Sequence, residues 1–269
     1  MLILLAMSCK KDSPIDNTAE TTGLTLVKTV ANGSHNIKIY TENGKLQTGY
    51  NKIYLQLANA DGSLVNNAQF TWKPLMHMMS MQHACPYSPI TKVADKNTLY
   101  EGYIVFQMAG SASEYWELQF NYTIGSSAYT ASSKIDVAAA VKRNLVSFMG
   151  TDNTRYVIAM VTPTVPKVAL NDMQAMVFKM QDMMTFPVVD GYTVKIDPRM
   201  PGMGNHGSPN NVHLIQNSTN KIYKGKLSLT MTGYWKINLQ LANATGDVVK
   251  GEEVTSTNEA SSIYFEVEF

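Results

Sequence analysis

Charge of one sign is missing from this chain: 22 Lys and Arg stand against 21 Asp and Glu, for a formal net charge of +1, and charged residues make up 16% of 269. Phosphate binding needs clustered cations, and none is found, so a nucleic-acid partner is excluded. Long apolar runs are missing too; the opening MLILLAMSC is far too short to span a bilayer. No stretch has the length or 3.6-residue periodicity of a long helix. There is no Gly-x-Ser-x-Gly elbow, no phosphate-cradling glycine loop and no His-Glu-x-x-His, and only five histidines. Carboxylates are scattered singly, so general acid–base work has no obvious pair, and the chain is read as a non-enzyme.

What is present is alternation. LTLVKTV from Leu24, HNIKIYT, NKIYLQLAN (Asn51 to Asn59), AQFTWK, GYIVFQM and YWELQFNY read as short strands, punctuated by Asn32-Gly33, ENGK at Glu42 to Lys45, and ADGS. A second series follows: LVSFMG, TRYVIAMVTP, MQAMVFKMQ, GYTVKID, KGKLSLTM, YWKINLQLAN and SIYFEVEF. The fold expected is all-β, two tandem immunoglobulin-like β-sandwich domains.

An internal repeat sets the division. KPLMHMMSMQHACPYSPI, from Lys73, is an edited version of DPRMPGMGNHGSPNNVHL, from Asp197. Placing Pro74 on Pro198 puts Met76 on Met200 and Met79 on Met203; a one-residue offset puts His83 on His206 and Pro86 on Pro209. Each copy continues through Tyr-x-Gly (Tyr100 and Gly102; Tyr223 and Gly225), Met-x-Gly (Met108 and Gly110; Met231 and Gly233) and Tyr-Trp. The first sandwich is assigned to residues 23–140 and the second to 141–269, with the boundary near Val141 in the run Ser132 to Asn144.

Both copies thus carry a loop of soft donors. Met76, His77, Met78, Met79, Met81, His83 and Cys85 fall close together in the first; Met200, Met203 and His206 in the second, where Gly202, Gly204 and Gly207 permit tight turns. Thioether, imidazole and thiolate suit copper(I), whereas zinc seldom takes thioether and calcium needs carboxylates that these loops lack. The metal reading requires the Met and His side chains of each loop to converge within about 5 Å, given metal–ligand bonds of about 2 to 2.5 Å. The bland alternative is packing: methionine is an adaptable core filler, and Met173, Met176, Met180, Met183 and Met184 are read mainly that way. His213, between Val212 and Leu214, reads as a strand residue.

MLILLAMSC, followed by Lys10, Lys11 and Asp12, resembles the end of a bacterial lipoprotein signal and the tethers of Bacteroidota lipoproteins. The resemblance implies a signal segment over residues 1–9, lipidation of Cys9, a flexible tether over 10–22, and attachment of the cell-envelope protein to a membrane by its lipid. Cys85 is then an unpaired thiol, a candidate ligand or a small buried residue.

MPGMGNHG, then YKGKLSLTMTGYWKINLQL, resembles the YtkA-like/FixH family of exported or membrane-attached β-sandwich domains, most clearly over Tyr192 to Leu241 and more weakly over Phe70 to Phe120. Thr232 and Ala109 stand where the family often has proline. The resemblance implies copper handling outside the cytoplasm, with Met200, Met203 and His206, and by the repeat Met76, Met79 and His83, as copper(I) ligands and a copper-accepting envelope protein as partner. The competing expectation is a non-metal module whose sandwich surface, with its 14 tyrosines and many Asn and Thr, recognises a protein or glycan.

Overall fold

The computed structural model describes residues 19–216 and 222–269. Cys9, the signal segment and most of the tether lie outside the described residues, so the lipidation expectation is not addressed by them. The chain is all-β. Its first half holds β1 (Thr25–Ala31), β2 (His35–Thr41), β3 (Gly49–Asn59), β4 (Leu64–Val65), β5 (Ala68–His77), β6 (Gln82–His83), β7 (Thr91–Lys92), β8 (Tyr100–Phe106), β9 (Tyr115–Ile124) and β10 (Ser127–Ile135). The second holds β11 (Leu145–Met149), β12 (Arg155–Thr162), β13 (Ala169–Lys179), β14 (Thr193–Met200), β15 (His206–Gly207), β16 (Val212–Gln216), β17 (Tyr223–Leu229), β18 (Tyr234–Ala242), β19 (Val248–Lys250) and β20 (Tyr264–Glu268). The helical content of the described residues is two 3-10 turns, Ala19–Thr21 and Pro201–Met203.

Alternation in the sequence becomes two-sidedness in space. In β2 every second residue, His35 through Ile37 and Ile39 to Thr41, is buried, and β9 buries Trp116, Leu118, Phe120 and Tyr122 in the same way. The sheet β1-β2-β3-β8-β7, with β4 on β3, faces the sheet β10-β9-β5-β6 across a core built from both. All pairings within these sheets are antiparallel. Full burial of side chains such as Ile39, Leu55, Phe106 and Trp116 contributes about 1.5–3 kcal/mol each, and this drives the immunoglobulin-like sandwich.

The second half repeats the plan with one change. Its ten strands form a continuous sheet ordered β11-β12-β13-β17-β16-β14-β18-β19, because β16 pairs with both β17 and β14 and so joins the two layers. In the first half the corresponding β7 is two residues long and pairs with β8 alone among the described residues. The Tyr-x-Gly motifs account for how closely things pass here. A Cβ on Gly225 would sit 2.3 Å from the Val212 carbonyl oxygen, so only glycine lets β16 cross at that point. In the first half a Cβ on Gly102 would sit 2.7 Å from Cζ2 of Trp72, so the same glycine there makes room for an indole.

The register fixes the internal repeat more firmly than the residues do. Asn51 donates its side-chain amide to the carbonyls of Gln47 (2.7 Å) and Gly49 (2.8 Å) and accepts the Gln47 N–H (3.0 Å). Asn171 makes the same clasp to Lys167 (2.8 Å), Ala169 (2.8 Å) and the Lys167 N–H (3.0 Å). Ile53 lies opposite Gly102 and Met173 opposite Gly225, two residues beyond each asparagine. NKIYLQLAN is therefore matched by the run that starts at Asn171, two residues before MQAMVFKMQ begins.

Residues 136–144 connect the halves and are pinned to both. Ala138 accepts the Thr48 N–H and donates to Leu46 O, while the Arg143 carbonyl accepts the Glu266 N–H, the Arg143 N–H donates to the Glu266 carboxylate, and Lys142 pairs with Glu268. Val141 between the pins is 94% exposed. A third apolar cluster lies between the halves: Tyr50, Tyr103 and Val105 of the first pack on Val157, Ala159, Met176 and Phe178 of the second, with the rings of Tyr103 and Phe178 6.3 Å apart. Burial pushes the phenols of Tyr50 and Tyr103 up to about 12, as expected for hydroxyls held in a dry seam.

Candidate functional site

Each Met/His run folds as a hairpin at the end of a sandwich. In the first, β5 runs on through Met76 and His77 before turning, and Met78 N–H donates to Met81 O (3.0 Å) to close the turn. Met76 and His77 are thus strand residues, which corrects their assignment to a loop. The physical reason is that β9 offers ladder partners right up to Tyr115, so the strand continues past Pro74. In the second, β14 ends at Met200, the 3-10 turn Pro201–Met203 follows, and Gly204 (φ +63°) and Asn205 (φ +59°) reverse the chain in the left-handed region into β15.

The two hairpins bring the same pair together. Met76 lies directly opposite His83, and Met200 directly opposite His206. Ladder partners share a face with Cβ atoms about 4.5–5.5 Å apart, so each Met is set beside one His, while the other donors of each run are not gathered with them: Met79, Met81 and Met203 are splayed into solvent and Met76 and Met200 face the core. Beneath each pair lies a buried tryptophan. Trp116 is the β9 partner of Met76, its ring meets His83 edge-on at 5.6 Å, and its indole N–H donates to Met108 O (2.9 Å). Trp235 donates likewise to Met231 O (3.0 Å).

The remaining residues are not brought in equally. Met76 is wholly buried and Met200 nearly so, each counted in the core of its half, and the Met200 methyl fills the space left by Gly233, so both are packing residues whatever else they do. Met79 (89% exposed), Met81 and Met203 (54% exposed) stand out into solvent at the turns. Cys85 is wholly buried, and burial pushes its thiol well above the ordinary value. Full burial fits the alternative reading of Cys85 as a small core residue.

The histidines differ in what their nitrogens are doing. His77 stacks on Tyr115 (4.7 Å, 7°), donates from Nε2 to Glu117 (3.1 Å) and accepts the Gln82 amide at Nδ1 (3.0 Å). Burial alone would raise the Glu117 carboxyl, but hydrogen bonds from Gln119, Ser132 and His77 outweigh it and hold the carboxyl below its ordinary range. With both nitrogens committed, His77 is a structural tie across the hairpin and is removed from the ligand set. His83 donates from Nδ1 to the Ala84 carbonyl (2.7 Å), and since a carbonyl only accepts, the neutral ring carries its lone pair on Nε2. His206 is exposed at the second tip. His213 lies in β16, as the sequence suggests; its Nδ1 accepts the Ile196 N–H (3.2 Å), and burial, then Lys195, lowers its ordinary value.

Among the described residues no three His, Cys, Asp or Glu side chains converge as a metal would need. Any ion held at these hairpins would draw on thioether sulfur, which the Met–His pairs supply and which matches copper(I). Glu117 and Gln82, which fix His77 together with Tyr115 of the Tyr-Trp motif, were not singled out by the sequence.

No family model matches the chain, and no curated protein matches it. Among solved structures it is similar to a DUF4785 family protein of Legionella pneumophila, at 10% identity and a TM-score of 0.28, covering 81% of this chain and 55% of that one. It is also similar to the Escherichia coli adhesin FdeC, at 12% identity and a TM-score of 0.23, covering 85% of this chain and 81% of that one. This chain spans about half the length of the Legionella protein. At those scores neither likeness bears on shape or function.

Proposed function

We propose that the protein binds copper(I) as cargo at its two hairpins, through Met76 and His83 in the first and Met200 and His206 in the second, and passes it to an acceptor protein of the cell envelope. The observation that carries this reading is the recurrence of one cross-strand Met–His pair at one register in both halves. His83 would present the Nε2 lone pair that its bond to Ala84 O leaves free, and the neutral thioether needs no deprotonation. Met79, Met81 and Met203, exposed at the turns, would give an arriving or departing ion transient soft contacts. The signal-like residues 1–9 support a lipid anchor at Cys9; intact mass of the membrane-extracted protein tests that part alone.

Because Met76 and Met200 are core residues, the test uses the histidines. A competitive copper(I) titration of the full chain under reducing conditions should give two equivalents bound at nanomolar strength or tighter, about 12 kcal/mol each, and His83→Ala with His206→Ala should abolish both. No tight binding by the unaltered chain would refute the reading. It would favour a second one, a non-metal module for protein or glycan, supported by a different feature: the outer face of β5, β9 and β10 sets Gln69, Thr71, Asn121, Thr123 and Thr130 in adjoining rungs.

A further inference from the structure

The two hairpins are not equivalent, because the first one touches the other half of the molecule. After β13 the chain makes a tight turn in which Asp182 bridges Thr185, Gln181 N–H donates to Thr185 O (3.0 Å), and the Asp182 carboxylate accepts the Met184 N–H (2.7 Å). This turn puts Met183 at its tip, and Met183 O accepts the N–H of Ala84 (2.8 Å). Ala84 is the residue that follows His83 and whose carbonyl receives the His83 ring. A single buried residue, Ala84, therefore bonds both the His83 imidazole, through its carbonyl, and Met183 of the second half, through its N–H.

Met183 is 38% exposed, so part of its side chain reaches the surface beside the first hairpin. Three rotatable bonds let it swing, while its backbone is held by the Ala84 bond. Among the described residues the second hairpin has no methionine bonded to it in this way; its turn is met instead by Glu259, whose carbonyl accepts the Asn205 amide (2.9 Å). There the residue after His206 is Gly207, against which the Arg199 guanidinium lies (3.2 Å from the position of a Cβ), itself paired with Asp197 at 2.8 Å. A cation beside one hairpin and a methionine beside the other should make them unequal.

We propose that Met183 is a copper(I) ligand of the first hairpin, completing with His83 and Met76 a site that spans the two halves. The proposal rests on the copper reading above. Its consequence is that filling the first site also ties the two halves together, since an ion held by both stabilises their docked arrangement over any undocked one.

The test is a competitive copper(I) titration of the full chain, with the metal alone as probe against a chromophoric chelator, for the unaltered protein, Met183→Leu and Met203→Leu. Leucine keeps the backbone bond and the apolar volume, so the fold is retained. Met183→Leu is expected to weaken the tighter site at least tenfold and leave the weaker site unchanged, and methyl-13C methionine spectra should show the Met183 methyl moving with the first equivalent. Two tight sites that ignore Met183→Leu, or a first equivalent that shifts Met79 or Met81 but not Met183, would overturn this inference and leave the copper reading standing. No tight binding by the unaltered chain would sink both.

Discussion

Met76 separates the packing role of a methionine from its chemistry, and three substitutions do it. Met76 has no exposed surface, sits in the first core, and is flanked in the ladder by Trp116 and His83. Truncation to alanine removes its buried thioether and leaves a cavity whose walls are strands pinned on both sides; the cost expected is about 2–5 kcal/mol, in the upper part of that range because Trp116 cannot collapse inward without losing its bond to Met108 O. Met76→Leu conserves volume and should cost less than about 1.5 kcal/mol. Met79→Ala, at 89% exposure, should lie within about 0.5 kcal/mol of the unaltered chain. The assay is denaturant unfolding followed by tryptophan fluorescence, comparing midpoints at unchanged slope; Trp116 next to the site makes it sensitive. If Met76→Ala were as mild as Met79→Ala, Met76 would not be in the core and the hairpin register would be wrong. If Met76→Leu kept full stability and also full copper(I) affinity, Met76 would be packing only, and any copper site would rest on the remaining donors.

Three further outcomes are expected. Asn51 is buried and Asn171 only partly so, yet they make the same clasp; Asn51→Ala should cost about 1–3 kcal/mol by stranding Gln47 and Gly49, and Asn171→Ala measurably less, since water can replace its bonds, as thermal or denaturant unfolding will show. Gly225→Ala drives a Cβ into the Val212 carbonyl and should destabilise the second half by at least about 1–3 kcal/mol, whereas Gly202→Ala, with nothing within 4 Å, should be near neutral; equal effects would refute the close crossing of β16. Glu20 clamps Asn97 N–H (2.6 Å), Thr98 N–H (2.9 Å) and the Thr98 hydroxyl (2.5 Å); burial would raise its carboxyl, but these bonds outweigh burial and hold it below the ordinary 4.5. A depressed folded value gives stability that is present above 4.5 and lost as pH falls through the lower folded value, so hydrogen-exchange protection of the Asn97 and Thr98 amides should drop in that acid range, and Glu20→Gln should flatten the pH dependence.

The sheet strands were legible because alternation is a local signal: HNIKIYT and YWELQFNY each declare a wet and a dry face without reference to anything distant. The repeat was legible where identical residues mark it, at Tyr-x-Gly and Tyr-Trp, and less so at Asn171, where the methionines of MQAMVFKMQ imitate the apolar beat of NKIYLQLAN and only the asparagine clasp fixes the register. What could not be read was which Met and His side chains face which way. A one-residue change of register turns every side chain to the other face, and whether the chain turns at Pro74 or runs on to His77 depends on how far β9 extends, which nothing in residues 73–85 records.

That limit has a chemical consequence at the hairpins. Density of soft donors is a property of composition, but a site needs a lone pair pointing at a common place. Of the ten soft donors in the two runs, the ladder places Met76 with His83 and Met200 with His206, closes off His77 by Glu117 and Gln82, packs Met78 against the first core, buries Cys85, and leaves Met79, Met81 and Met203 in solvent. The same ladder, through Ala84, leads to a methionine that the local run does not contain. On the copper proposal, a donor set taken from one stretch of sequence is too large in one direction and too small in another, and Met183→Leu is the substitution on which the two descriptions differ.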